Sequence, residues 1–127
     1  MTPRAQALSR YGNMKVRTAT PLDLVVLLLE RACADIRRAE AAAAKGDLSA
    51  RLSQLSHARS VVLELIASLD HVQGGEIAAQ LASLYGFALD QLAGSASCDG
   101  LAAAVEVLGE VLAGYRGIKE GQHARAS

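Results

Sequence analysis

The chain contains no Trp and very few aromatic residues, three Tyr and one Phe in 127 positions. Hydrophobic residues nonetheless make up 51% of it, so a core has to be built from Leu, Val, Ile and Ala, which suits close packing of helices. No excess of charge is present either: 13 basic and 13 acidic residues cancel, and no block of like charge stands out. That excludes the basic stripe of a nucleic-acid binder and the polybasic face of an anionic-membrane binder. Cys33 and Cys98 are the only cysteines, far apart and outside any CxxC spacing, which excludes a disulfide framework or a thiolate metal site. They read as free thiols of a reducing cytosol. The N-terminal stretch "MTPRAQALSRYGNMKVR" has no continuous apolar core, so no signal peptide is expected. The longest apolar run, Leu24 to Leu29, falls far short of the roughly 20 residues needed to cross a bilayer.

What is present is helical periodicity. At this length one domain, 1–127, is expected, burying about two-thirds of its unfolded surface around one core. Four helical blocks are expected over 20–45, 47–70, 75–94 and 99–118. Thr20-Pro21-Leu22-Asp23 opens the first with an N-cap Thr, Pro at the first helical position and an acidic first turn. Gly46 closes it, and Asp47 is placed to cap the second, where Leu48, Leu52, Leu55, Val62, Ile66 and Leu69 recur at helical spacing. "DHVQGG", Asp70 to Gly75, breaks the chain before the third block, whose apolar face is read as Ile77, Leu81, Leu84, Ala88 and Leu92. The fourth carries Leu101, Val105, Leu108, Leu112 and Tyr115 on one face, and 119–127 reads as a frayed tail. Short turns between such helices predict an all-α antiparallel up-down four-helix bundle. Residues 1–17 form an N-terminal arm in this reading, with Pro3 to Arg10 a candidate short fifth helix.

The first helix is too apolar for one stripe. Placed at 100° intervals, Val25, Leu28, Leu29, Ala32, Ile36 and Ala39 fall in one arc, while Leu24 and Leu27 fall in another with Arg31 and Arg38. Leu24 and Leu27 are therefore surplus to a single core stripe. Either another part of the chain covers them, or they line a groove for a partner helix. Tyr11, the one aromatic of the arm, is a plausible anchor for an intramolecular cover. A second excess lies in "LASLYGFALD", where Tyr85 and Phe87 are half of all the aromatics; they either fill gaps between helices or form an interface.

Catalytic chemistry is hard to assemble. His57 is the candidate for a phosphorelay bundle, but it falls opposite Leu48, Leu52 and Leu55 and reads as a solvated surface His. "SHARSVV" also lacks the Lys and small Gly such sites place beside the imidazole. The paired Glu-x-x-His motifs of a di-metal carboxylate bundle are missing. Gly74-Gly75 lacks the Lys-Ser/Thr of a phosphate loop. No nucleophile, base and orienting group form a set. A non-enzyme without cofactor or metal is expected.

Motifs in order along the chain resemble one known family. Tyr11 is followed by "VRTATPLDL", similar to V-x-T-A-S-P-x-x-L with Thr20 in place of Ser. "SLD" follows at Ser68 to Asp70, and "GGEIAAQLASLYGF", Gly74 to Phe87, is similar to G-G-E-I-A-x-x-L-x-x-L-Y-x-Y. "VEVLGEVLAGY" resembles a closing helix, with Tyr115 where Trp is common. Together they resemble the bacterial flagellin export chaperones, the FliS family, from Tyr11 to Tyr115. One departure is "LLERACA", which places Leu29, Glu30 and Arg31 where that family often has Tyr-[DN]-Gly.

The resemblance implies a cytoplasmic helical bundle that wraps the C-terminal, disordered segment of flagellin. It also implies that the complex is handed to the export gate of the flagellar type III secretion apparatus. In that family the arm can cap part of the same surface, which here points to Tyr11 as cap and to Leu24, Leu27, Tyr85 and Phe87 as partner-binding residues. A helical-bundle adaptor for another amphipathic-helix client is the alternative. Homodimerisation is left open.

Overall fold

In the computed structural model of the chain, residues 20–93 and 96–126 are described, with the side chains of 123–126 excepted. The arm with Tyr11 and the candidate helix over Pro3 to Arg10 lie outside the described residues. Four helices follow one another: α1 (Pro21–Ala44), α2 (Leu48–Ala67), α3 (His71–Gln91) and α4 (Cys98–Ala126).

Local chemistry sets each start. Before α1 the Asp23 N–H donates to Thr20 Oγ1 and the Thr20 N–H donates to Asp23 Oδ2, both at 3.1 Å, a reciprocal capping box. Gly46, at φ 74°, turns the chain in the left-handed region after α1, where any Cβ would be strained. Asp47 Oδ1 then accepts the Ala50 N–H at 3.0 Å and starts α2. Asp70 Oδ1 accepts from Val72 and Gln73 at 3.1 and 3.0 Å, so α3 starts at His71, ahead of the expected 75. The helix is interrupted once, at Gly75 (φ 49°, ψ −122°). The stretch read as a frayed tail from 119 continues α4 to Ala126. Lys119 ties it back, its Nζ lying 2.9 Å from Asp23 Oδ1 at the start of α1.

Helices adjacent in sequence pack side by side, and α4 closes the ring against α1, which makes an antiparallel up-down four-helix bundle. α1 therefore has large interfaces with both α2 and α4, and the excess of apolar residues on it is resolved. Leu24, Val26, Leu28 and Leu29 are all buried. Leu24, read from the helical wheel as surplus to the core, is 4% exposed and belongs to it. Val25, placed in the centre of the stripe by the same wheel, packs against the core from its edge. A helix embraced from two sides buries an arc far wider than one stripe, and its centre lies between the two neighbours.

Below that first turn the core is close-packed around small residues. Ala32 and Ala39 of α1, Ala58 of α2, Ala88 of α3 and Ala104 of α4 are each fully buried, which lets the helix axes approach. Leu29, Ile36, Leu55, Leu65, Leu92 and Leu108 fill the space between them. Each such burial contributes about 1.5–3 kcal/mol.

α3 is turned relative to the sequence reading. Its core face is Ala78, Tyr85, Ala88 and Leu92, while Ile77 is 68% and Leu84 40% exposed. The large Tyr85 ring, taken as an interface residue, is 1% exposed and fills the bundle interior. A bulky ring at this position swings Ile77 and Leu84 off the core axis.

Candidate functional site

Two places in the bundle carry more than packing. The first is the end where α1 and α3 begin and α2 and α4 finish. There an open cavity of about 230 Å³ lies between Val25, Leu69, Ile77, Leu81, Tyr85 and Tyr115. Its walls are mostly apolar, with Ser68, Asp70, Gln73 and the two phenols as its polar elements. Burial pushes the Tyr85 hydroxyl well above its usual range, and the neighbouring Tyr115 adds to the effect. The Tyr85 phenol is therefore a neutral donor and acceptor, with no nucleophilic character. Along the outside of α3, Ile77, Leu84 and Phe87 are exposed at 68%, 40% and 42%. They recur at i, i+7 and i+10, so they share one side of the helix. This edge and the cavity meet at Ile77.

The sequence-predicted residues separate accordingly. Phe87 is on the exposed edge, and Leu27 is half-buried on α1. Leu24 and Tyr85 are in the core, and Tyr11 lies outside the described residues. Ile77 and Leu84, assigned by periodicity to the core, turn out to flank Phe87. Their signal was present in the sequence: two bulky aliphatics on a helix whose core face already holds Tyr85, Ala88 and Leu92.

The second place is polar. Asp35 is fully buried on α1 and gathers two guanidinium groups and an imidazole. Arg38 Nη1 donates to its Oδ1 at 3.2 Å, and Arg31 Nε forms an ion pair with the same oxygen at 3.3 Å. His57 Nδ1, from α2, contacts Oδ2. His57 is therefore half-buried and engaged, which corrects its reading as a solvated surface histidine. The error was one of geometry: His57 is off the leucine face of α2 but toward α1, the neighbour that covers most of that helix. Asp35 escaped notice although it sits seven residues after Leu28 and four before Ala39, on the core register. The cluster ties α1 to α2 and presents no open position for a substrate.

Among the described residues no three His, Cys, Asp or Glu groups are placed to hold a metal ion. Cys33 is buried, and that burial raises its thiol above the ordinary range, away from reactivity. No described helix is long and apolar enough to cross a membrane. The arrangement offers exposed apolar surface and a mostly apolar cavity.

Comparison with known proteins gives the surface a context. No curated protein sequence matches the chain. The sequence model of the family described as "Flagellar protein FliS" matches residues 4–122, nearly the whole length and all but the last turn of the bundle. The chain thus belongs to the FliS family, the flagellar export chaperones.

Proposed function

We propose that this chaperone takes flagellin as its client. It binds the disordered C-terminal segment in the cytoplasm, prevents premature polymerisation, and presents the complex to the export gate of the flagellar type III apparatus. The observation that carries this reading is the exposed apolar edge Ile77–Leu84–Phe87 running into an open apolar cavity, on a chain of the FliS family. A folded single-domain protein gains nothing in stability from such an edge; a partner segment does.

The mechanism needs neither catalysis nor nucleotide. An apolar segment that is disordered when free loses conformational entropy on binding, and the wrapped apolar area offsets that loss. Phe87 and Leu27 contribute directly in this reading, while Leu24 and Tyr85 shape the surface from beneath. Tyr11, on the arm, is the competing cap; only the uncapped fraction binds, which lowers apparent affinity and favours handover.

Calorimetric titration with the C-terminal segment of the organism's own flagellin tests this, beside a scrambled peptide. Saturable one-to-one binding with a large negative heat-capacity change is expected. Absence of binding to a well-folded protein would move the client to another secretion substrate with an amphipathic helix.

A further inference from the structure

The cavity has one wall unlike the others. Asp70, Gln73 and Gly74 belong to a single helical turn, which is joined to the rest of α3 through Gly75. This turn is held by its own hydrogen bonds: Asp70 Oδ1 takes the N–H groups of Val72 and Gln73, and the Asp70 carbonyl accepts the Gly74 N–H at 2.8 Å. His71, Val72 and Gln73 are all exposed, so the turn is poorly anchored to the core. Gly74 is its point of closest approach, since a Cβ there would come within 2.9 Å of Ala78 Cβ. Gly75, at φ 49° and ψ −122°, takes a conformation that residues with a Cβ strongly resist. It breaks the helix between the turn and the rest of α3. Val72, carried on the turn, is 94% exposed, the highest value of any large apolar residue described.

We propose that the turn His71–Gly74 is a strap hinged at Gly75. It closes over an apolar side chain of the client seated in the cavity, and Val72 is the residue that is buried on closure. This rests on the flagellin reading for the identity of the client, but the hinge is a property of the free chain. Three observations converge on it: a break that only glycine accommodates easily, a turn stabilised by itself, and a large apolar side chain on that turn that is 94% exposed. A static wall would gain nothing from a valine facing water.

Amide hydrogen exchange on the free full-length protein is the first test. The amides of Val72, Gln73 and Gly74 are expected to exchange together and much faster than those of Ala82 to Ala88, as an independently opening unit. Uniform protection along the whole of α3 would overturn the hinge. The same measurement with the flagellin C-terminal peptide should then slow exchange at Val72 to Gly74, and Val72→Ser should weaken peptide binding about tenfold, mainly through faster dissociation. The substitution is at an exposed site and leaves the melting temperature unchanged. Equal affinity of wild type and Val72→Ser, with no slowing at the turn, would overturn the strap while leaving the client reading intact. Fast collective exchange of the turn with no peptide binding would support the hinge and sink flagellin as its client.

Discussion

The α1–α2 seam and the beginning of α3 use similar residues to opposite ends. Along the seam Ala32, Ala39 and Ala58 let two helices approach closely, leucines and valines fill the remaining space, and Asp35 is paired with Arg31 and Arg38 and contacted by His57. At the start of α3 Gly75 interrupts the helix, a cavity opens, and Val72 and Ile77 face solvent. The seam is the largest interface in the bundle, and α2 against α3 is the smallest of its four substantial ones. The difference teaches that apolar content alone does not mark a binding surface. The leucine-rich start of α1 looked more suspicious in the sequence than α3, yet two neighbours cover it. α3 has less apolar sequence and more of it free.

The sharpest way to break this contrast is truncation on each side of it. Leu29→Ala, at a fully buried position, is expected to destabilise by about 2–5 kcal/mol in urea unfolding. Ile77→Ala, at a 68% exposed position, should stay within about 0.5 kcal/mol. Comparable losses would mean that the α3 edge is core after all.

Next in size is the ionic cluster. Asp35→Ala should cost about 3 kcal/mol, the low end for breaking a buried pair, because Arg31, Arg38 and His57 keep access to water. The combination Asp35→Leu with His57→Leu should recover most of that loss, since apolar packing commonly replaces a buried ion pair. Guanidinium unfolding of both variants decides it. A double variant as weak as Asp35→Ala would show that charge, not filling, holds the seam.

On the α3 side the expected effect is on binding. Phe87→Ser should lower affinity for the flagellin segment at least about tenfold, or about 1.4 kcal/mol, with thermal unfolding unchanged. Leu84→Ser should act in the same direction. If binding is untouched by both, the client lies elsewhere on the bundle.

Much of this architecture is legible without coordinates. Four helical periods separated by Gly46, by "DHVQGG" and by "GSASCDG" predict the bundle, and Thr20 and Asp47 cap where their side chains suggest. Local signals of this kind act within a few residues. What the sequence obscured depends on which helix lies against which. Leu24 is core because α1 has two large neighbours, a fact of topology that a wheel drawn on one helix does not contain. Tyr85 is core because it shares a buried face with Ala78, Ala88 and Leu92, and that face leaves Ile77 and Leu84 on the outside. His57 reaches Asp35 across 22 positions, and neither residue alone marks the other. The tail from 119 was read as frayed for want of apolar periodicity, whereas an ion pair to Asp23 holds its start.

That ion pair gives the smallest effect and a pH test of the end of the bundle where α1 begins and α4 finishes. Lys119 beside Asp23, with the Thr20 backbone N–H, lowers the Asp23 carboxyl from 3.8 to about 2. A carboxyl depressed in the folded state adds stability above its unfolded value, and that contribution disappears as pH falls from about 4 toward 2. Both side chains are partly in water, so the contribution is less than about 1 kcal/mol and shrinks with salt. Lys119→Met should move the Asp23 titration, followed by carboxyl NMR, back toward the ordinary range. It should flatten the acid limb of stability over that window and leave the Asp35 seam untouched. A titration that does not move would show that the capping box with Thr20, rather than α4, sets the charge of Asp23. The end of α4 would then be attached to α1 by packing and by the Arg116–Glu30 ion pair at 2.8 Å.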